Sequence, residues 1–135
     1  MNKDQAIAEW RRARESLGAA ATYESTIYYA DSISRAYYAA FHAAKSPLLL
    51  DDIEPRTHEG VIRRFGERIV RIHHVEPVWG RELNQLQKLR NDADYEVEMV
   101  FGEADARAAY QRAAAFLHRI RALLTIHIPL DELEP

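Results

Sequence analysis

The stretch STIYYADSISRAYYAAFHAAKS (Ser25–Ser46) decides the fold. Ala30, Ile33, Tyr37, Ala40, Phe41 and Ala44 recur at helical spacing and form one apolar face. Ser32, Ala36, Ala39 and Ala43 form a second face of small side chains, which lets another helix approach closely. A helix packed on two sides is central to its bundle. Between these faces runs a polar strip, Asp31, Arg35, Tyr38 and His42, spaced i, i+4, i+7 and i+11. On an edge helix such a strip is solvated, whereas on a central helix it lines a cleft, an interface or a buried network. The pattern leaves both readings open.

Outward from this helix the chain reads as more helices. Asp4–Ala20 is expected to be helical, with Ile7, Trp10 and Leu17 buried and Arg11, Arg12 and Arg14 largely outside. Pro47 and Pro55 bracket an expected turn and loop, SPLLLDDIEPR, with Leu48–Leu50 tucked under the bundle. Thr57 is a candidate N-cap for a helix over His58–His73, whose stripe is Ile62, Phe65, Ile69 and Ile72. Arg64, Arg68 and Arg71 lie on the opposite side. This is the one basic surface the sequence suggests, either a solvated face or one that meets nucleotide or RNA phosphates. Pro77 opens a fourth helix, and Gly102–Glu103 opens a fifth that reaches His127. Residues 129–135 read as a flexible acidic tail after a single domain over 1–128. The fold class expected is all-α, an up-and-down bundle of about five helices.

The fourth helix ends in LQKLRNDADYEV (Leu86–Val97). Arg90 sits at the edge of the apolar stripe made by Trp79, Leu83, Leu86 and Leu89. Asp92, Asp94 and Tyr95 follow, with Asp94 about 40° around the helix from Arg90. A guanidinium at a core margin needs a carboxylate or phosphate partner. The group is either a helix-ending ion pair with a buried Tyr, or a site. A buried pair implies a cost of about 3–5 kcal/mol for Arg90→Ala. An exposed ligand-binding Arg implies less than about 1 kcal/mol.

Composition narrows the function classes. The 135 residues include no Cys, which excludes disulfides, thiol nucleophiles and thiolate metal sites. No apolar run approaches the ~20 residues of a membrane span. The charged start MNKDQAIAEWRRARE is unlike a signal peptide, so a cytoplasmic location is expected. Net charge is −3, and the cations are nearly all Arg, with Lys only at 3, 45 and 88. His73 and His74 are adjacent and cannot chelate one ion from one helix. No Gly-rich phosphate loop or nucleophile motif appears, and no metal or cofactor is expected. General acid–base candidates are His42, His58 and Tyr95, and Arg35 and Arg90 could neutralise a phosphorane.

Three segments together carry a family resemblance: SRAYYAAFHAAK (Ser34–Lys45), THEGVIRRFG (Thr57–Gly66) and LRNDADYEVE (Leu89–Glu98). In this order they resemble a HEPN domain, most closely the small stand-alone prokaryotic proteins found beside minimal nucleotidyltransferases. The resemblance spans roughly residues 5–125. It implies a helical bundle, usually a homodimer, within toxin–antitoxin or defence modules. Active members are metal-independent RNases whose motif is an Arg, four to six residues, then a His, and the motifs of two protomers meet across the dimer. By position Arg90 is that Arg, while Tyr95 stands at the place of the His. With a pKa of about 10, Tyr is a poor general base at neutral pH. Some members carry an adenylylated Tyr two residues after the His; that place is Val97 here.

The candidate catalytic residues are thus Arg90, Tyr95 and His42, and Arg35, Arg64, Arg68 and Arg71 are candidates for nucleotide or RNA binding. Asp31, Tyr38, Asp92 and Asp94 form an expected structural polar cluster. The resemblance places the strip Asp31, Arg35, Tyr38 and His42 opposite Arg90–Tyr95. Two functions are expected in that order. The first is a non-catalytic or weakly catalytic module that binds a nucleotidyltransferase and/or nucleotide phosphates. The second is a metal-independent endoribonuclease toxin acting as a homodimer.

Overall fold

Helix α2 (Tyr29–Leu50) is the centre of the molecule. In this computed structural model, which describes residues 2–135, it is surrounded by α1 (Lys3–Ala20), α3 (His58–Arg64), α4 (Pro77–Tyr95) and α5 (Glu103–His127). A short α6 (Leu130–Leu133) closes the chain, and no strand occurs among the described residues. The all-α bundle expected from periodicity is the fold observed.

The small-residue face of α2 receives α1. Ala36, Ala39 and Ala43 are fully buried there. At one end of the contact Ser32 Oγ donates to the Ala20 carbonyl at 2.8 Å. At the other, Ser46 Oγ donates to the Ala6 carbonyl at 2.7 Å. These hydroxyls reach backbone on a neighbouring helix because nothing larger than Ala separates the two. The opposite face of α2 joins Phe65, Leu83, Leu86, Phe116, Ile120 and Leu124 in the core.

Three local expectations need correction. Helix α2 starts at Tyr29, after a 3₁₀ turn over Ala21–Glu24, and runs through Pro47 to Leu50. Proline removes one helical hydrogen bond, at a cost of about 3 kcal/mol in a helix interior. Burial of Pro47, Leu48, Leu49 and Leu50 offsets it, since each buried Leu contributes about 1.5–3 kcal/mol. The helix stops instead at a Schellman closure: Ile53 N–H donates to the Leu48 carbonyl at 2.9 Å and Asp52 N–H to that of Leu49 at 3.0 Å. Asp52 takes the left-handed conformation (φ 58°) usually filled by glycine.

The third helix is α-helical only to Arg64 and continues as a π-helical segment, Phe65–Val70. The wider π turn rotates the following residues off the 3.6-residue stripe. Phe65 and Ile69 are buried, but Ile72 is 54% exposed. The expected acidic tail folds back as α6: Leu133 is buried, Glu134 accepts from Arg121 at 2.7 Å, and Lys3 pairs with Glu132.

Candidate functional site

The three resemblance segments converge on one place. From α2 come Tyr37 and Tyr38, from the start of α3 comes His58, and from the last turns of α4 come Arg90, Asp94 and Tyr95. Each position has a local cause. Thr57 Oγ1 accepts the Gly60 N–H at 2.9 Å, capping α3 and fixing His58 as its first residue. Leu83 and Leu86 anchor α4 in the core, which brings Arg90 one turn further on against α2.

Arg90 is mostly covered, its side chain 16% exposed. One terminal nitrogen donates to the Tyr38 hydroxyl at 2.9 Å and the other to Asn91 Oδ1 at 3.2 Å. Nε lies 2.9 Å from Asp94 Oδ2, an ion pair without the alignment of a hydrogen bond. The guanidinium carbon stands 5.4 Å from the Tyr38 ring centre and 5.7 Å from those of Tyr37 and Tyr95. Burial works against the charge, but Tyr38, Asp94 and Tyr95 outweigh it and raise the Arg90 pKa. A guanidinium has five N–H groups. Each terminal nitrogen makes one hydrogen bond, so one N–H on each is left without a protein partner among the described residues.

His58 completes the group. Its ring stacks on Phe41 with centroids 4.4 Å apart and meets the edge of Tyr38 at 5.9 Å. Its Nδ1 is 2.6 Å from the Tyr37 hydroxyl. Burial, followed by the charge of Arg90, holds the His58 pKa below its ordinary value despite Glu59. Burial pushes the Tyr37 hydroxyl well above the usual phenol range, Arg90 notwithstanding. Tyr37 therefore keeps its proton.

The remaining candidates are dispersed. Tyr38 reaches Arg90, and Arg35 lies over the Tyr38 ring at 5.5 Å. His42 is drawn toward α1: its Nδ1 is 2.7 Å from Glu9, which also meets Lys45 at 3.4 Å. Burial would raise the Glu9 pKa, but the bond to His42 and the Lys45 charge bring it below normal. Asp31 is exposed and lines a shallow cleft with Tyr28, Met99 and Phe101. Asp92 takes no part in the contacts around Arg90. On α3, Arg64 lies 3.7 Å from Glu67. Arg68 just beyond it binds Asp51 at 2.8 Å, and Arg71 is exposed. Asp51 is fourteen residues along from Tyr37, about 20 Å at helical rise. The expected basic face is thus split, with Arg68 at the far end of the bundle.

Sequence reasoning gave Tyr37 to the core stripe and named His58 as a general acid–base candidate without pairing the two. The available signal was a Tyr where Phe would serve, because a buried hydroxyl requires a partner.

An all-α bundle with a covered Arg at the end of its fourth helix is the class of protein defined by this geometry. The HEPN domain model matches residues 7–123, and the chain belongs to that family. A protein of Methanocaldococcus jannaschii named "Putative toxin MJ0605" is 36% identical over 129 residues, covering 92% of this chain and 94% of that protein. A second from the same organism, "Putative toxin MJ0142", is 25% identical over 113 residues, 84% of this chain and 77% of that protein. A "UPF0332 protein" of Pyrococcus horikoshii is 57% identical over 53 residues, 39% of this chain and 37% of that protein.

Proposed function

We propose that this HEPN protein is the RNA- or nucleotide-phosphate-binding member of a toxin-type module and does not itself cleave RNA efficiently. The observation that carries the reading is the environment of Arg90. It remains cationic, keeps two N–H groups for an anion, and has the Tyr95 ring beside it where a nuclease motif would have His. A phenol is a far weaker proton shuttle than an imidazole in neutral solution. Relatives whose names include "toxin" support the module type. The resemblance to nucleotidyltransferase-associated HEPN proteins supports a nucleotidyltransferase as partner.

A second copy of the chain is the other partner proposed. Ile27, Tyr28, Val97, Met99 and Val100 are exposed. Tyr28, Met99 and Val100 share one cleft a few residues from Tyr95. Apolar residues gathered in this way suit a protein interface, and a homodimer formed here would bring two Arg90 clusters near each other.

The test is binding and cleavage of tRNA and mixed single-stranded RNA in chelator, comparing wild type with Arg90→Ala. Salt-sensitive binding that Arg90→Ala abolishes, with the RNA left intact, is the expected outcome. Loss of Arg90 without effect on binding overturns the reading. Cleavage by the wild type favours the second reading, a metal-independent endoribonuclease. The observation favouring that one is His58, a histidine within the Arg90 cluster.

A further inference from the structure

The Tyr37–His58 pair has a defined polarity. Tyr37 is fully buried and its hydroxyl has His58 Nδ1 as its one hydrogen-bond partner among the described residues. A buried O–H that keeps its proton must donate it, and the acceptor in reach is Nδ1. A neutral imidazole that accepts at Nδ1 carries its own proton on Nε2. The stacked Phe41 and the edge of Tyr38 hold the ring in place. Nε2 has no protein partner among the described residues and is not one of the buried unpaired atoms. The imidazole therefore presents a fixed, neutral N–H, and the Arg90 cation is close enough for its charge to act on the ring. The two groups bracket Tyr38, with Arg90 2.9 Å from its hydroxyl and His58 5.9 Å from its ring.

We infer that His58 is a phosphate-positioning residue. Locked by Tyr37 as the Nε2–H tautomer, it gives a second donor, next to Arg90, to one phosphate group of RNA or of a free nucleotide. This inference rests on the reading of Arg90 as a phosphate ligand. It assigns His58 to recognition rather than proton abstraction, because an Nε2 that already holds a proton has no lone pair with which to act as a base. Arg90 from α4, and His42 and Lys45 from α2, oppose a charge on the ring, while the neighbouring Glu59 favours one. Tyr37 supplies the orientation and does not touch the ligand.

The experiment has two readouts. The first is the ¹⁵N–¹H spectrum of the His side chains at pH 7.5. The expected His58 pattern is a protonated Nε2 and a bare Nδ1, lost in Tyr37→Phe. A proton on Nδ1 overturns the inference. The second is fluorescence anisotropy with two probes, a short single-stranded RNA lacking terminal phosphates and adenosine monophosphate. His58→Ala is expected to weaken binding about tenfold, the size of one hydrogen bond to a charged group. His58→Gln, which keeps a donor at a similar reach, is expected to restore most of that loss. Preference for the RNA identifies the backbone diester, and preference for the nucleotide identifies a terminal phosphate. Unchanged affinity in His58→Ala, with Arg90→Ala inactive, overturns this inference and leaves the Arg90 reading standing. Binding indifferent to Arg90→Ala overturns both. Melting curves of each variant separate a binding loss from unfolding.

Discussion

Arg90 and Tyr38, 52 residues apart in sequence, are joined by a 2.9 Å hydrogen bond from guanidinium to phenol. This contact ties the end of α4 to the middle of α2 and sets how deeply the cation sits. The Asp94 side chain beside it is 27% exposed. Arg90 is therefore neither an enclosed ion pair nor a free surface group, the two cases the sequence allowed.

A stability loss between those limits follows. Arg90→Ala removes a charge-assisted hydrogen bond and several ring contacts but leaves Asp94 in reach of water. The expected cost is about 1–2 kcal/mol by urea unfolding. Tyr38→Phe should cost about 1 kcal/mol, and the double variant less than the sum of the two. A loss above about 3 kcal/mol marks a buried pair. Strict additivity removes the Arg90–Tyr38 contact as a source of stability.

The response to acid should come in two stages. His58 has a native pKa below its ordinary 6.5, so protonation favours the unfolded chain. Its destabilising effect is absent above pH 6.5 and grows as pH falls from there through the lowered native value. Asp51 and Glu9 have native pKa values below their ordinary 3.8 and 4.5. Their stabilisation is complete above those values and disappears as pH falls through the lowered ones. Melting temperatures measured from pH 8 to 3 test this. His58→Gln should flatten the upper stage and leave the lower one unchanged. An unchanged upper stage in His58→Gln rules out His58 as its source.

Asp51 is expected to act in the architecture alone. Its Oδ2 accepts from Arg68 at 2.8 Å and meets His73 Nε2 at 2.7 Å, fastening the π-helical segment and the turn after it to the end of α2. Burial would raise the Asp51 pKa, but Arg68 and His73 together lower it. Arg68→Ala should cost about 1–2 kcal/mol while leaving RNA affinity unchanged. A drop in affinity at wild-type stability would return Arg68 to the binding surface.

The architecture was legible because it follows from periodicity. Ala36, Ala39 and Ala43 marked the close contact with α1, and Leu83 and Leu86 the buried side of α4. Deviations arose where tertiary burial overrode a local rule, as at Pro47, or where one extra residue per turn shifted the register, as between Phe65 and Ile72. The site was half legible. Arg90 attracted notice because a guanidinium at a core margin demands an explanation. His58 stood out only as one of three general acid–base candidates, and its place beside Arg90 was hidden because its partner Tyr37 is 21 positions earlier and on another helix. Spacing along one helix cannot reveal such a pair. The same limit applies to His42, whose place in the polar strip gave no sign of Glu9, 33 residues before it.

The C-terminal residues provide a last test of burial against composition. The run DELEP is acidic and short, features that suggest a loose end. Yet Leu133 is 1% exposed, and Glu134 is gripped by Arg121 at 2.7 Å. Burial would raise the Glu134 pKa, but Arg121 and Arg14 bring it below normal. Leu133→Ala should therefore cost about 2–3 kcal/mol, within the range for a large-to-small change in a packed site. Glu134→Gln should cost less than about 1 kcal/mol, because Arg121 is 41% exposed and water replaces much of the pair. Urea unfolding of the two variants decides the matter. A Leu133→Ala loss below about 0.5 kcal/mol, the level of an ordinary surface change, would mean that α6 contributes no packing and the tail is as loose as its composition suggests.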